Sequence, residues 1–367
     1  MLTRKLFIKT LPSFALISLL MAACGGPNTS NTNTIPVPTL AKPAATAVPV
    51  AAPASDTTVK VVAAADAFLA TLSDAQKKTV MFDYTDSAQR AKWSNFPTGL
   101  FQRAGLRMGD LSQAQQDAVF ATLATILSAK GYQQVVDGVN GDEVLKGQDG
   151  GGNLIFGKAE YYVSILGTPS TTTPWMLQFG GHHLAINATV VGANITLAPS
   201  LTGGQPVNYT LDGKTVRQGG DESDSAFALI GMQNTDQKKQ AVLGSSSINA
   251  VLGPGEDGKT IQPEGIKASA LNEAQQAALL ELVGKRVSWL NDEDAALKMA
   301  EVKANLAETY FAWYGPTTNG SAAYWRVQGP TLFMEFSPQS MGGDATNHLH
   351  NMFRDPTNDY GAAWTNK

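Results

Sequence analysis

The four histidines carry the most chemical information in this chain, because all of them fall in two short segments. One reads Gly180-Gly181-His182-His183-Leu184 and the other Asn347-His348-Leu349-His350-Asn351. In an extended segment, residues two apart project to the same side. His348 and His350 are therefore expected to chelate one ion together, with Leu349 turned away into the core. A third imidazole, from His182 or His183, would complete a three-histidine face with an open position, as in catalytic zinc sites and some copper or iron sites. Adjacent residues on a regular strand diverge, so one member of the doublet is expected to ligate and the other to orient a ligand or contact substrate. The two preceding glycines permit close backbone approach. The cofactor expected is a divalent transition metal: zinc, copper or iron. The plainer alternative is four hydrogen-bonding core histidines with no metal; their concentration in two paired motifs favours the ion.

Charged residues near these segments are the next candidates. Arg354 is placed to anchor an anionic substrate group, and Asp355 or Asp359 to orient an imidazole N–H. Asp355-Pro356 and Asn358-Asp359 read equally as turn formers. Glu335 lies on a strand with Leu332, Met334 and Phe336 on the opposite face, so it is either a surface residue or a general base beside the metal. Glu222 and Asp224 are expected to open a helix over 225–232, where acids favour the positive dipole end. Other chemistries fail on their own residues. The run from Gly152 to Lys158 matches most of a phosphate loop, but Ala159 stands where a magnesium-binding hydroxyl is required. There is no Gly-x-Ser-x-Gly elbow.

The same segments carry a resemblance. Trp175–Leu184 (WMLQFGGHHL), Ala198-Pro199 followed by Gly203-Gly204-Gln205-Pro206, and above all His348–Gly361 (HLHNMFRDPTNDYG) resemble bacterial proteins grouped as domain of unknown function 3500. The resemblance runs from about Trp93 to Trp364. It brings no reaction with it, and implies that both histidine segments belong to the fold's signature.

The elements that must position these residues are legible in outline. Leu72-Ser73-Asp74-Ala75-Gln76, Leu111-Ser112-Gln113-Ala114-Gln115 and Leu271-Asn272-Glu273-Ala274-Gln275 share one pattern, with a looser copy at 233–237. In each, Ser or Asn can cap a first helical turn and a Gln three residues on can return the bond. Duplication and convergent capping explain the recurrence equally well. Strand-like segments lie at 161–166, 175–179, 184–191, 194–197, 323–327 and 331–336, the last two flanking Gly329-Pro330 as a hairpin. The fold class expected is α+β: capped helices around a mostly antiparallel central sheet in a single large domain.

The N-terminus reads as an export signal over 1–23: Arg4, Lys5 and Lys9, an apolar run from Leu11 to Met21, then Ala22 and Ala23 before Cys24. Cys24 is the only cysteine. Its position marks it as a lipidation site carrying acyl chains such as palmitate. Residues 24–58, rich in Pro, Thr and Ala, are expected to form a tether, and 59–367 the globular domain. Removing the three basic residues of the signal leaves 24 basic against 31 acidic residues, a net charge of −7. Nucleic acid is thereby disfavoured as a partner. The expected location is the cell envelope, anchored to a membrane with the domain on the extracytoplasmic side. Two functions fit: a metal-dependent hydrolase-like or oxidative enzyme acting on a small molecule or polymer, and a non-catalytic metal- or ligand-binding surface lipoprotein. Replacing Cys24 by Ser is expected to move the protein from the membrane fraction to the soluble one, since acyl chains supply most of the membrane affinity; fractionation and immunoblotting check this, and a variant that stays with the membrane after signal cleavage rejects it.

Overall fold

The computed structural model describes residues 54–149, 153–340 and 343–365. The signal, Cys24 and nearly all of the tether lie outside the described residues. The first helix, α1 (Asp56–Ala70), is capped by Ser55, so folded chain begins a few residues ahead of 59. Then follow α2 (Asp74–Val80), β1 (Met81–Phe82), the short α3 (Ser87–Arg90), β2 (Leu106–Arg107), α4 (Gln113–Ile126) and α5 (Ala129–Asp149). Strands β3 (Tyr162–Leu166), β4 (Trp175–Gly181), β5 (Leu184–Val191), β6 (Asn194–Thr196) and β7 (Ser200–Gly204) complete the first half, and a hairpin of β8 (Asn208–Leu211) and β9 (Lys214–Arg217) leads on. The second half repeats the order: α6 (Gly220–Gly231), α7 (Thr235–Ala241), β10 (Val242–Gly244), β11 (Ile266–Lys267), α8 (Glu273–Val287), α9 (Asp292–Ala304), β12 (Tyr310–Tyr314), β13 (Tyr324–Gly329), β14 (Leu332–Pro338), β15 (Leu349–Arg354) and α10 (Ala362–Thr365). Helix α6 starts at Gly220, ahead of the expected 225, which brings Glu222 into its first turn and buries it.

One sheet runs through both halves in the order β1-β3-β4-β5-β7-β15-β14-β13-β12-β10, with β2, β6 and β11 beside β3, β5 and β12. The order is close to a palindrome about the β7–β15 pair. The β1–β3 and β10–β12 pairs are parallel and the rest antiparallel. The expected α+β class and mostly antiparallel sheet are both present.

Four capping boxes stand where the sequence pattern places them, at Ser73/Gln76, Ser112/Gln115, Asn234/Gln237 and Asn272/Gln275. They do more than cap. The side-chain amides of Gln237 and Gln275 exchange hydrogen bonds at 2.9 Å each way, which docks α7 against α8. Gln76 and Gln115 do the same for α2 and α4, at 3.2 and 3.4 Å. The following glutamines, Gln116 and Gln276, each donate to two carbonyls of the turn before their helix. Both halves thus carry the matched glutamine pair as well as the capping box.

The longer helices cover one face of the sheet, and the segments 83–105, which contains α3, and 245–265 lie over the other. Alternation along β15 shows the division. Leu349 and Phe353 join the core beneath the helices, and Met352 packs with Trp93 from the first covering segment. The halves also meet at the helix junctions, where Leu127 bridges Leu290 and Asn291 N–H donates to the Ile126 carbonyl. Asp294, three residues on, accepts from Ile195 N–H of β6 at 2.9 Å and from Asn291 Nδ2 at 2.7 Å.

Burial raises the Asp294 carboxyl to about 6, from an ordinary 3.8. A raised acid favours the folded state below its unfolded pKa, and that contribution is lost as pH rises through about 6. Wild type is therefore expected to gain about 1 kcal/mol of unfolding free energy relative to Asp294→Asn between pH 7 and pH 5. Denaturant titrations of both proteins at the two pH values measure this, and identical pH dependence would remove Asp294 from the account.

Candidate metal centre

Strands β4 and β5 pair from Trp175↔Val190 to Gly181↔Leu184, so His182 and His183 are the two turn residues of a tight hairpin. That placement answers which of the doublet faces the other segment, because a turn need not alternate as a strand does. His183 adopts φ +58°, a left-handed conformation uncommon for a residue with a side chain. It is held there from several sides. Its N–H donates to the Asn95 carbonyl at 3.3 Å. The Tyr161 hydroxyl donates to the His182 carbonyl at 2.9 Å. Arg103 Nη2 donates to the carbonyls of Gly181, Ser94 and Phe96, clamping the first covering segment to the end of β4. Burial lowers the Arg103 guanidinium to about 10.

The other segment arrives on β15, whose neighbours are β14 and β7. His350 stands opposite Ser337 on one side and Gly203 on the other. Glycine is required at 203, since a Cβ there would meet the Leu349 carbonyl oxygen at 2.3 Å and the His183 Cβ at 3.3 Å. With that close approach, the rings of His183, His348 and His350 form a near-equilateral triangle, their centroids 4.8, 5.0 and 5.1 Å apart. One nitrogen from each ring lies within 4.8 Å of the other two, and His183 Nε2 and His348 Nε2 are 3.0 Å apart. All three side chains are buried. Burial, with the neighbouring imidazoles, holds His183 and His350 well below the usual histidine range, so both rings are neutral near pH 7. Neutral imidazole is the form that ligates a metal.

His182 lies outside this group. Its Nδ1 donates to Asp142 Oδ1 of α5 at 2.7 Å, and its ring stacks on His183 with centroids 3.7 Å apart. The other Asp142 oxygen accepts from Gly157 N–H. Asn95 touches two members of the triad, through its carbonyl to His183 and through Nδ2 to His350 Nε2 at 3.3 Å. Asp142, Asn95 and Arg103 were not foreseen from sequence, and they stand on a helix and a loop far from either histidine segment.

The charged candidates are elsewhere engaged. Glu335 pairs in register with Met352, one pleat along β14 from the Ser337–His350 pair. It is fully buried, and its oxygens accept from Val251 N–H, Leu252 N–H and the Tyr324 hydroxyl at 2.8 to 2.9 Å. Arg354 donates to the Leu252 and Gly253 carbonyls and to Asp257 and Asp359. Asp355 accepts from Thr357 and Asn358 N–H and from Lys298, and Asp359 from Asp355 N–H. These four fasten the second covering segment and the final turn to the sheet; none joins the histidine group. A cleft of about 230 Å³ opens beside His348, walled by Leu349, Phe336, Arg217, Asn208 and Ser321.

The strain at His183 separates local backbone from ligand chemistry. A left-handed residue with a side chain costs about 1 kcal/mol that glycine avoids. In chelator-treated protein, His183→Gly is therefore expected to be about 1 kcal/mol more stable than His183→Ala, measured by thermal or denaturant unfolding; equal stabilities would show that the turn is not strained.

A family model described as a protein of unknown function (DUF3500) matches residues 54–362. No curated protein and no solved structure matches the chain.

Proposed function

The chain belongs to the DUF3500 family, and from that premise we propose that it is a lipid-anchored extracytoplasmic metalloprotein in which His183, His348 and His350 hold one divalent transition metal beside a substrate cleft. The convergence of three buried imidazoles from two distant segments carries this reading. Their donor set suits the ion. Two imidazole nitrogens bound to one tetrahedral zinc stand ~3.3 Å apart, against 3.0 Å for the nearest pair here and 4.8 Å for the widest. Small ring rotations close the difference. Three protein ligands leave a fourth position, and a metal held in this way supplies a Lewis acid for hydrolytic or oxidative chemistry.

The surrounding residues keep the triad in place. Asp142 fixes the His182 ring, which packs against His183 and limits its rotation. Asn95 holds His183 through its backbone and His350 through its side chain. The cleft at His348 admits a small molecule or a chain end. The anchor, for its part, rests on the signal-like N-terminus and on Cys24.

A second reading, a non-catalytic metal carrier, is favoured by one observation: among the described residues the clustered group contains histidines alone, with no carboxylate. The two readings separate on the fourth position. Elemental analysis of protein purified without a histidine tag is expected to find one equivalent of metal, absent from His183→Ala, His348→Ala and His350→Ala. In His182→Ala it should be retained with affinity 10- to 100-fold weaker. Cobalt-substituted protein is expected to change its visible spectrum when azide is added if the fourth position is open, and to stay unchanged in a carrier whose site is closed. Protein that takes up none of zinc, copper, nickel, iron or cobalt would overturn both.

A further inference from the structure

Among the residues lining one small cavity behind β15, on the helix side of the sheet, three carry a buried polar atom that lacks a hydrogen-bond partner among the described residues. The atoms are Glu222 Oε1 of α6, Trp289 Nε1 at the α8–α9 junction and Asn351 Oδ1 of β15. Their residues are 2%, 3% and 1% exposed. The cavity measures about 10 Å³ and is completed by Thr202, Gly203 and Leu349 among others. A buried polar atom left unsatisfied costs about 1–3 kcal/mol, so three on residues around one space call for an occupant.

We infer that this cavity is a binding site for one structural water molecule, held jointly by Glu222, Trp289 and Asn351. The inventory of donors and acceptors selects the ligand. Two of the atoms accept and one, the indole N–H, can only donate. Water donates twice and accepts as well, and so satisfies all three. A cation would satisfy the two oxygens but confront the indole hydrogen. An anion would face the oxygens of Glu222 and Asn351. An apolar occupant would leave every atom unsatisfied. The volume agrees, since one water needs about 10–15 Å³ of such space and two to four polar partners. Next to the cavity, the Arg286 guanidinium lies 4.2 Å over the Trp289 ring and donates to Ser200 Oγ at 2.8 Å, while its Nη1 is a further buried donor without a partner among the described residues.

The site has a consequence for the neighbouring histidines. Asn351 follows His350 directly and faces the opposite side of the sheet. A water bonded to it braces β15 from behind, linking the strand that bears His350 and follows His348 to α6 and to the α8–α9 junction. The inference itself does not depend on a metal.

A high-resolution crystal structure of the full chain tests it directly. The expected result is one density peak within about 2.7–3.2 Å of the three atoms, and no anomalous signal there after soaking in rubidium chloride. In solution, oxygen-17 relaxation dispersion is expected to count one fewer long-lived water in Asn351→Leu than in wild type. A rubidium peak would make the site a cation site and overturn the proposal. So would side chains that repair the three atoms among themselves with no density between them, or a relaxation count unchanged in a folded Asn351→Leu. Should that variant fail to fold, the wild-type map decides alone.

Discussion

Where β7 meets β15, the two halves of the chain share one ladder. Five residue pairs cross that joint, from Leu349↔Gly204 to Phe353↔Ser200. The joint is also where the chemistry sits. His183 comes from a hairpin turn of the first half, His350 from the last strand of the second and His348 from the residue just before it, and Gly203 lets the two backbones close to the distance at which their rings meet. Neither half contains a triad. A slip of one residue in the β7–β15 register would turn His350 to the helix side and Asn351 to the covering-segment side, exchanging the triad's face for that of the inner cavity.

The two halves share a plan without sharing a site. The β4–β5 and β13–β14 hairpins occupy equivalent places, and each turn is tied to the helix that follows the second capped helix of its half. In the first, Asp142 of α5 holds His182; in the second, Lys298 of α9 donates to the Thr331 carbonyl and to Asp355. The same mechanical need is met by an imidazole–carboxylate pair on one side and by an ammonium donating to a backbone carbonyl on the other. Only the first leaves an adjacent histidine facing β15.

Local features were legible in the sequence and long-range ones were not, for a physical reason. Capping boxes, strand segments and the shared side of His348 and His350 depend on spacings of two to four residues. The choice between His182 and His183 depends on the backbone of a two-residue turn, where strand alternation does not apply. Duplication and convergent capping were equally open from Ser/Asn-x-x-Gln alone; the glutamine pairs across helices are a further recurrence that the pattern did not reveal. Glu335 and Arg354 look like active-site groups in sequence, yet their partners, Val251 to Asp257, lie roughly a hundred residues upstream on a covering segment. Buried charges fastening a loop and buried charges serving a reaction have the same signature until those partners are known. Asn95 gave no signal, because its role comes from where Arg103 pins its loop.

The paired glutamines between α2 and α4 and between α7 and α8 set how these joints respond to their surroundings. An amide–amide exchange carries no net charge on either side. Dissolved ions do not screen it as they screen an exposed ion pair, and neither side chain titrates between acid and alkali. These two helix–helix joints are thus made by contacts indifferent to salt and pH. Sensitivity to pH is left to groups such as the buried carboxyls of Asp294 and Asp359, and sensitivity to salt to exposed ion pairs such as Lys130–Asp221 between α5 and α6.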